Sequence, residues 1–399
     1  MKPTNQQLIK STNMKALFLL IQKDKAASRI ALAKATHLSK ATVSALVDEL
    51  IAGGYVLDCG AGISTTTGRK PNTLTVNGAG NYVAVFQWHK TWLNAALISL
   101  NDSVIFEMRI SIDQHSDYVQ TTVKTMREDL ETYHPEARIL GICIVVPAIV
   151  DETNQKIIST VLKISLENDL LQQLRDQLSD YPITVLNDTP CYAYAECINS
   201  RMEDMYYAFV NIGTGVGAVV LDRGRVFRAA NGMTTQFGHF SVDRNGALCN
   251  CGNRGCLERV IGEMYLYERA RQEGCDGLFA DEGEATFEAL GRLAAQDNKK
   301  ARALMNALAE DTAYAVSNLI SIFNPQEIVI GGNGMALGAQ YLDDVNGHLS
   351  RMGFPLFMKR VKLRFSSLNK SSALKGAARY YIDQYFSFDG EMQNKLYIG

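Results

Sequence analysis

At 399 residues, 47% hydrophobic and 21% charged, the chain has a globular composition and enough length for two or three domains with sizeable cores. No apolar run approaches the roughly eighteen residues that a membrane span requires, and the run Ala16–Ile21 is too short for the core of a signal peptide. A net charge of −2 conceals an asymmetry, +6 over residues 1–72 against −8 beyond, which limits contact with a polyanion to the first module. Cys59, Cys143, Cys191, Cys197 and Cys275 lack the spacing of a disulfide framework and fit a reducing, cytoplasmic setting with no membrane partner.

Residues 12–54 read as three helices. The first is expected from Thr12 to Asp24, where Leu17, Leu20 and Ile21 recur at helical spacing. Ser28 can cap a second over Arg29–Thr36, and Ser39 a third over Lys40–Ala52, which Gly53-Gly54 ends. Leu32, Leu38, Val43, Leu46 and Leu50 supply a small core. Two short capped helices with a tight turn at His37-Leu38 make a helix-turn-helix. Its second helix would offer Ser39, Lys40, Ala41, Thr42 and Ser44 to base edges in a major groove of double-stranded DNA. A small three-helix interaction module is the alternative. Tyr55–Asp58 and Asn72–Val76 read as strands flanking a loop rich in Gly, Ser and Thr, a wing. At its base Arg69 and Lys70 suit phosphate contact or a narrow minor groove, or else form a solvated linker pair.

From Asn81 the pattern changes to strands. Tyr82–Phe86, Leu93–Leu100 and Ser103–Ile110 suggest an antiparallel meander, and Ile139–Val146 a buried strand. Ile183–Leu186 is another, leading through Asn187-Asp188 into a helix through Cys197. Tyr206–Ile212 and Ala218–Asp222 flank Gly213-Thr214-Gly215-Val216-Gly217, a pattern that by itself mostly marks a tight hairpin. Residues 260–322 are helical with polar breaks near 273–277 and 281–284, Glu327–Ile330 is a strand, and Ser371–Tyr385 an apolar-striped helix.

The most informative stretch is 238–258, GHFSVDRNGALCNCGNRGCLE. His239, Cys249, Cys251 and Cys256 are the ligand types of a tetrahedral Zn²⁺ whose four protein ligands leave no place for water, so the metal is structural. Interleaved glycines allow the turns that such convergence needs, whereas ordinary buried thiols would not call for them. The pattern G-H, nine residues, C-x-C-G, then G-C-x-E resembles the signature of the ROK family of sugar kinases and sugar-responsive repressors.

That resemblance implies an α/β architecture: an N-terminal winged helix-turn-helix (1–76) followed by a two-lobed actin-like, ribonuclease H-like ATPase fold. The lobes would be 77–195, joined by the returning segment 371–399, and 196–370 with the zinc site. Gly68-Arg69-Lys70-Pro71 is similar to an element of the family's repressors, and His37 stands where the family usually has Gly. The family's first phosphate loop, D-x-G-x-T, falls on Gln87, His89 and Lys90, so the carboxylate and the glycines that phosphoryl transfer needs are absent. The expectation is a non-enzymatic regulator, in all likeness to the family a repressor of carbohydrate genes acting as a homodimer or homotetramer on operator DNA. By the same resemblance Asn187 and Asp188 face a sugar from one lobe, and Gln236 (where kinases have Glu), His239 and Glu258 from the other. The rivals are a sugar kinase with an N-terminal appendage and a regulator whose sensor domain takes a protein partner.

Overall fold

In the computed structural model, the described residues are 5–23, 27–61, 72–113, 116–151, 156–165, 167–227, 235–368 and 372–388. The chain packs as two compact units, one formed by Met1–Val146, Asp169–Leu186 and Ala377–Gly399, the other by Pro147–Asn168 and Asn187–Gly376. No helix among the described residues is long and apolar enough to cross a membrane.

The first unit opens with α1 (Asn5–Gln22), α2 (Arg29–Thr36) and α3 (Lys40–Ala52). Both short helices start where a hydroxyl satisfies an otherwise orphaned amide. Ser28 Oγ accepts from the Ala31 N–H at 3.2 Å, and Ser39 Oγ from the Thr42 N–H at 3.0 Å. His37 takes the left-handed conformation, φ 57°, that the tight turn between them requires. Leu17, Leu32, Val43, Val47 and Leu50 are fully buried, while Leu38, expected in this core, is only half-buried. Helix α1 begins seven residues before the expected Thr12; in the added stretch Ser11 is buried against Ser387, a distant partner that local periodicity does not reveal. β1 (Val56–Ala61) and β2 (Asn72–Val76) pair antiparallel; the loop between them, with Arg69 and Lys70, lies outside the described residues.

A five-stranded sheet follows, built from β3 (Asn81–Trp88), β4 (Trp92–Ser99), β5 (Val104–Ser111), β6 (Arg138–Val146) and β9 (Ile183–Asn187) in the order β5-β4-β3-β6-β9. β3 and β4 form a hairpin in register from Tyr82↔Ser99 to Trp88↔Leu93, and β6 runs parallel to β3. Every residue of β3 is buried, as expected of a strand covered on both faces. Helices α4 (Tyr118–Thr125), α5 (Glu131–Tyr133) and α6 (Leu170–Gln177) belong to this unit, and a π-helical turn, Met126–Leu130, joins α4 to α5.

The second unit contains the short pair β7 (Ile149–Asp151) and β8 (Lys156–Ile158), then α7 (Asp188–Asn199) and a second five-stranded sheet. Its strands are β10 (Tyr206–Ile212), β11 (Val216–Asp222), β12 (Arg225–Val226), β13 (Glu327–Gly331) and β14 (Lys362–Phe365), ordered β12-β11-β10-β13-β14. Again the first strand pairs antiparallel with its successor and parallel with the later crossover strand, β13. Its helices are α8 (Leu257–Ile261), α9 (Leu266–Gln272), α10 (Phe287–Ala295), α11 (Lys299–Phe323), α12 (Gly338–Leu349) and α13 (Pro355–Met358). Ala208, Val210 and Ile212, alternate residues of β10, share a core with Leu290, Leu308, Leu319 and Ile320. The last helix, α14 (Ser372–Gln384), starts in the second unit and ends in the first. α7 packs with the second unit, as does the segment Pro147–Asn168; the Ala193 carbonyl of α7 accepts from the Tyr207 hydroxyl on β10 at 2.7 Å.

Candidate functional site

The loop after β12 folds on short-range hydrogen bonds. Val242 N–H donates to Gly255 O at 2.8 Å, Cys249 N–H to Asn253 O at 2.8 Å and Gly255 N–H to Ala247 O at 2.9 Å. Gly255 permits this crossing: at φ 61° its absent Cβ would stand 1.7 Å from the Asp243 carbonyl oxygen. One ligand atom each from His239, Cys249, Cys251 and Cys256 then falls within 4.8 Å of all the others. Cys251 and Cys256 sulfurs are 3.5 Å apart, and Cys249 Sγ is 3.7 Å from His239 Nδ1. A zinc–sulfur bond of about 2.3 Å gives a tetrahedral edge of about 3.8 Å, so the spacing is that of a coordination shell. Without a cation the thiols oppose one another: burial and the neighbouring Cys251 and Cys249 push the Cys256 thiol up to about 12. Three thiols and one imidazole in this arrangement could hold a metal ion.

Cys256 directly precedes α8, so the same loop delivers Glu258 in that helix's first turn. Glu258 is buried, and its Oε2 accepts from the Val216 N–H at 3.2 Å. Burial raises its carboxyl above the usual carboxylate range, and His239 acts in the opposite sense. The glycines of the β10–β11 turn are consumed by this packing. A Cβ on Gly215 would stand 2.7 Å from Glu258 Oε2, one on Gly217 2.6 Å from Thr189 Oγ1, and one on Gly238 2.1 Å from Val216 O.

Thr189 leads back to the first turn of α7. Asn187 caps that helix, its Oδ1 accepting from the Thr189 N–H at 3.0 Å while its Nδ2 donates to Ala148 O at 2.7 Å. Burial pushes the Asp188 carboxyl up to about 6, although the Thr189 hydroxyl donates to it at 3.3 Å. Asn187, Asp188, His239 and Glu258 all fall in the second unit, where Glu258 and Thr189 meet the glycine turn. The reason is that α7 is fastened to β10 and to the 147–168 segment. Gln236 lies exposed two residues before Gly238. Thr189, which joins Asp188 to the turn, is missed by sequence reasoning; a hydroxyl after Asn-Asp at a helix start is its only signal.

On the helix-turn-helix, Ser39, Lys40, Ala41 and Thr42 are exposed and Ser44 is half-buried, its carbonyl accepting from Arg29 at 3.0 Å. At the β3–β4 turn, where sequence puts Gln87, His89 and Lys90, the hairpin closes on itself. His89 N–H donates to Trp92 O at 2.8 Å, and Tyr118 OH donates to His89 O at 2.6 Å. The His89 ring stacks on Trp92 with centroids 3.5 Å apart, and the Arg109 guanidinium lies 4.2 Å from the Trp92 centroid. Burial and Arg109 hold the His89 imidazole down at about 4. Trp88 is buried beside them, its Nε1 donating to Thr122 Oγ1 at 3.0 Å. Arg109, Tyr118 and Thr122 are distant in sequence, which hides this plug from a linear reading.

The chain is similar to known proteins along most of its length. The xylose repressor of Caldicellulosiruptor bescii is 28% identical over 404 residues, covering 96% of this chain and 98% of that one. A crystal structure of a ROK family transcriptional regulator, a homolog of the E. coli MLC protein, superposes with a TM-score of 0.79 at 24% identity over 94% of this chain and 96% of that one. A ROK hexokinase from Thermus thermophilus gives 0.61 at 22% identity, its chain covered to 96% by 74% of this one. These structural likenesses establish the fold, the two-lobed actin-like type. The ROK family model matches residues 89–384, nearly three-quarters of the sequence, and the chain therefore belongs to the ROK family.

Proposed function

We propose that this chain is a DNA-binding transcriptional regulator, a repressor of carbohydrate-metabolism genes under the control of a sugar or sugar-derived effector. The observation that carries the reading is the capped helix pair α2–α3, which presents Ser39, Lys40, Ala41 and Thr42 outward on a ROK chain. Such a helix start reaches base edges in the major groove, with Ser44 farther along the same helix, while Arg69 and Lys70 contact phosphates or the minor groove. Two-fold operators call for a homodimer or homotetramer. The xylose repressor relative, alike along its whole length, supports the reading. The role places the chain in the cytoplasm, where its thiols stay reduced.

The effector is held by Asn187, Asp188, Glu258 and His239, with Gln236 at the rim. Carboxylates and amides suit a polyol, which offers hydroxyls that donate and accept in turn. His239 serves two sites, Nδ1 toward the metal and Nε2 toward the effector. The metal is Zn²⁺, bound by His239, Cys249, Cys251 and Cys256, and it supplies folding free energy to the loop that carries Glu258. Phosphoryl transfer is absent from this account because the β3–β4 hairpin spends the His89 amide on Trp92 and fills the turn with stacked rings. Selection of duplexes from a random library by the full chain, with and without a panel of pentoses and hexoses, tests the whole. Recovery of a pseudo-palindrome whose affinity changes with one sugar is the expected result. Steady ATP-dependent sugar phosphorylation, at rates on the order of 1–100 s⁻¹, would instead make the chain a kinase.

A further inference from the structure

The first unit contains a buried charge cluster that neither DNA contact nor effector binding uses. The Asp383 side chain, near the end of α14, is buried, and its Oδ2 lies 3.8 Å from Nζ of Lys23, the residue after α1. Its Oδ1 has no hydrogen-bond partner among the described residues. Lys15, on α1, donates to the Phe386 carbonyl at 2.9 Å. Arg379, one turn earlier on α14, is held by Asp102 in the β4–β5 turn. Around this cluster the segment after α14 grips the three-helix module. Ser387 Oγ meets Ser11 Oγ at 2.9 Å, and the Phe388 ring packs 5.1 Å from Phe18 and 4.8 Å from Tyr55, which follows α3.

Lys15, Lys23 and Arg379 are three cations, and Asp102 already serves Arg379. Asp383 is thus the countercharge for Lys23, which is half-buried just past the end of α1. Charges taken out of water persist only when paired, and removal of the partner leaves the remainder uncompensated.

We propose that Asp383 is the positioning residue of the DNA-reading module: its carboxylate pairs with Lys23 at the end of α1 and so fixes the orientation in which α1–α3 are presented. This rests on the reading of α3 as the DNA-contacting helix.

Amide hydrogen exchange of the full-length, zinc-loaded protein tests it. Asp383→Asn should raise exchange at least tenfold in peptides from residues 5–23 and 27–61 and leave those of β10, β11 and β13 unchanged. The affinity for a duplex selected by the wild type should fall at least tenfold. Lys23→Gln, a milder change at a partly exposed position, should shift both readouts the same way, and the double variant should be no worse than Asp383→Asn alone. Unchanged exchange over residues 5–61, a rise spread equally over both units, or additive effects of the two substitutions would overturn the proposal. Should the wild type select no duplex, the DNA reading fails, and the exchange comparison still decides the role of Asp383.

Discussion

Asp188 provides the sharpest prediction, because its environment works against its charge. Its carboxyl is raised from 3.8 to about 6, chiefly by burial, so the folded chain binds that proton more tightly than the unfolded chain. The group's effect on stability is therefore most favourable below pH 3.8. It declines as pH rises toward 6 and is constant beyond. A shift of about two units at ~1.4 kcal/mol each makes the ionised carboxylate cost about 3 kcal/mol at neutral pH. Asp188→Asn keeps the shape and removes the charge, so it should stabilise the protein at pH 7.5 by about 1–3 kcal/mol. At ~2–4 °C per kcal/mol for a unit of this size, the melting temperature should rise by several degrees. The gain should shrink through pH 6 to 4 and vanish below, while sugar binding should be lost, as the proposed role of Asp188 in holding the effector requires. Calorimetric melting of both proteins from pH 4 to 8, with sugar titrations at pH 7.5, provides the measurement. A variant less stable than wild type at every pH, or a difference that does not depend on pH, would show that Asp188 is an ordinary helix-start residue and would refute the argument.

Elemental analysis of the purified chain should find one zinc per molecule, and Cys249→Ser should lose it together with several kcal/mol of stability in the second unit. Metal-free protein of undiminished melting temperature would contradict this. Gly215→Ala should drive a methyl against Glu258 Oε2, 2.7 Å away, and weaken sugar binding at least tenfold without changing DNA affinity in the absence of sugar; an unchanged titration would remove Glu258 from the site. Ser39→Ala should cost about 1 kcal/mol by exposing the α3 start, seen as weaker operator binding in gel shifts, and equal binding would deny the cap a role. Arg69→Ala should weaken binding most on A·T-rich duplexes and flatten the salt dependence; a uniform loss would assign Arg69 to phosphates alone.

Local chemistry was legible in the sequence because it acts over a few residues. Ser28 and Ser39 cap the helices they precede, His37 turns the chain, and the glycine-spaced cysteines converge with His239, all within windows that a linear reading spans. Strand positions followed from apolar runs for the same reason. Whatever depended on contacts between distant segments was not legible. Only the tertiary structure places α7, and Asp188 with it, in the unit of His239, because Tyr207 and Ala148 reach α7 from elsewhere in the chain. Only there do Gly215 and Gly217 appear as the space that Glu258 and Thr189 occupy, and His89 as one ring of a stack completed by Trp92 and Arg109. The two sheets repeat one strand order, a meander of three followed by two crossover strands, with no repeat visible in the residues. Backbone topology persists when side chains change in kind, since a strand needs only apolar bulk on its buried faces, and many sequences supply that.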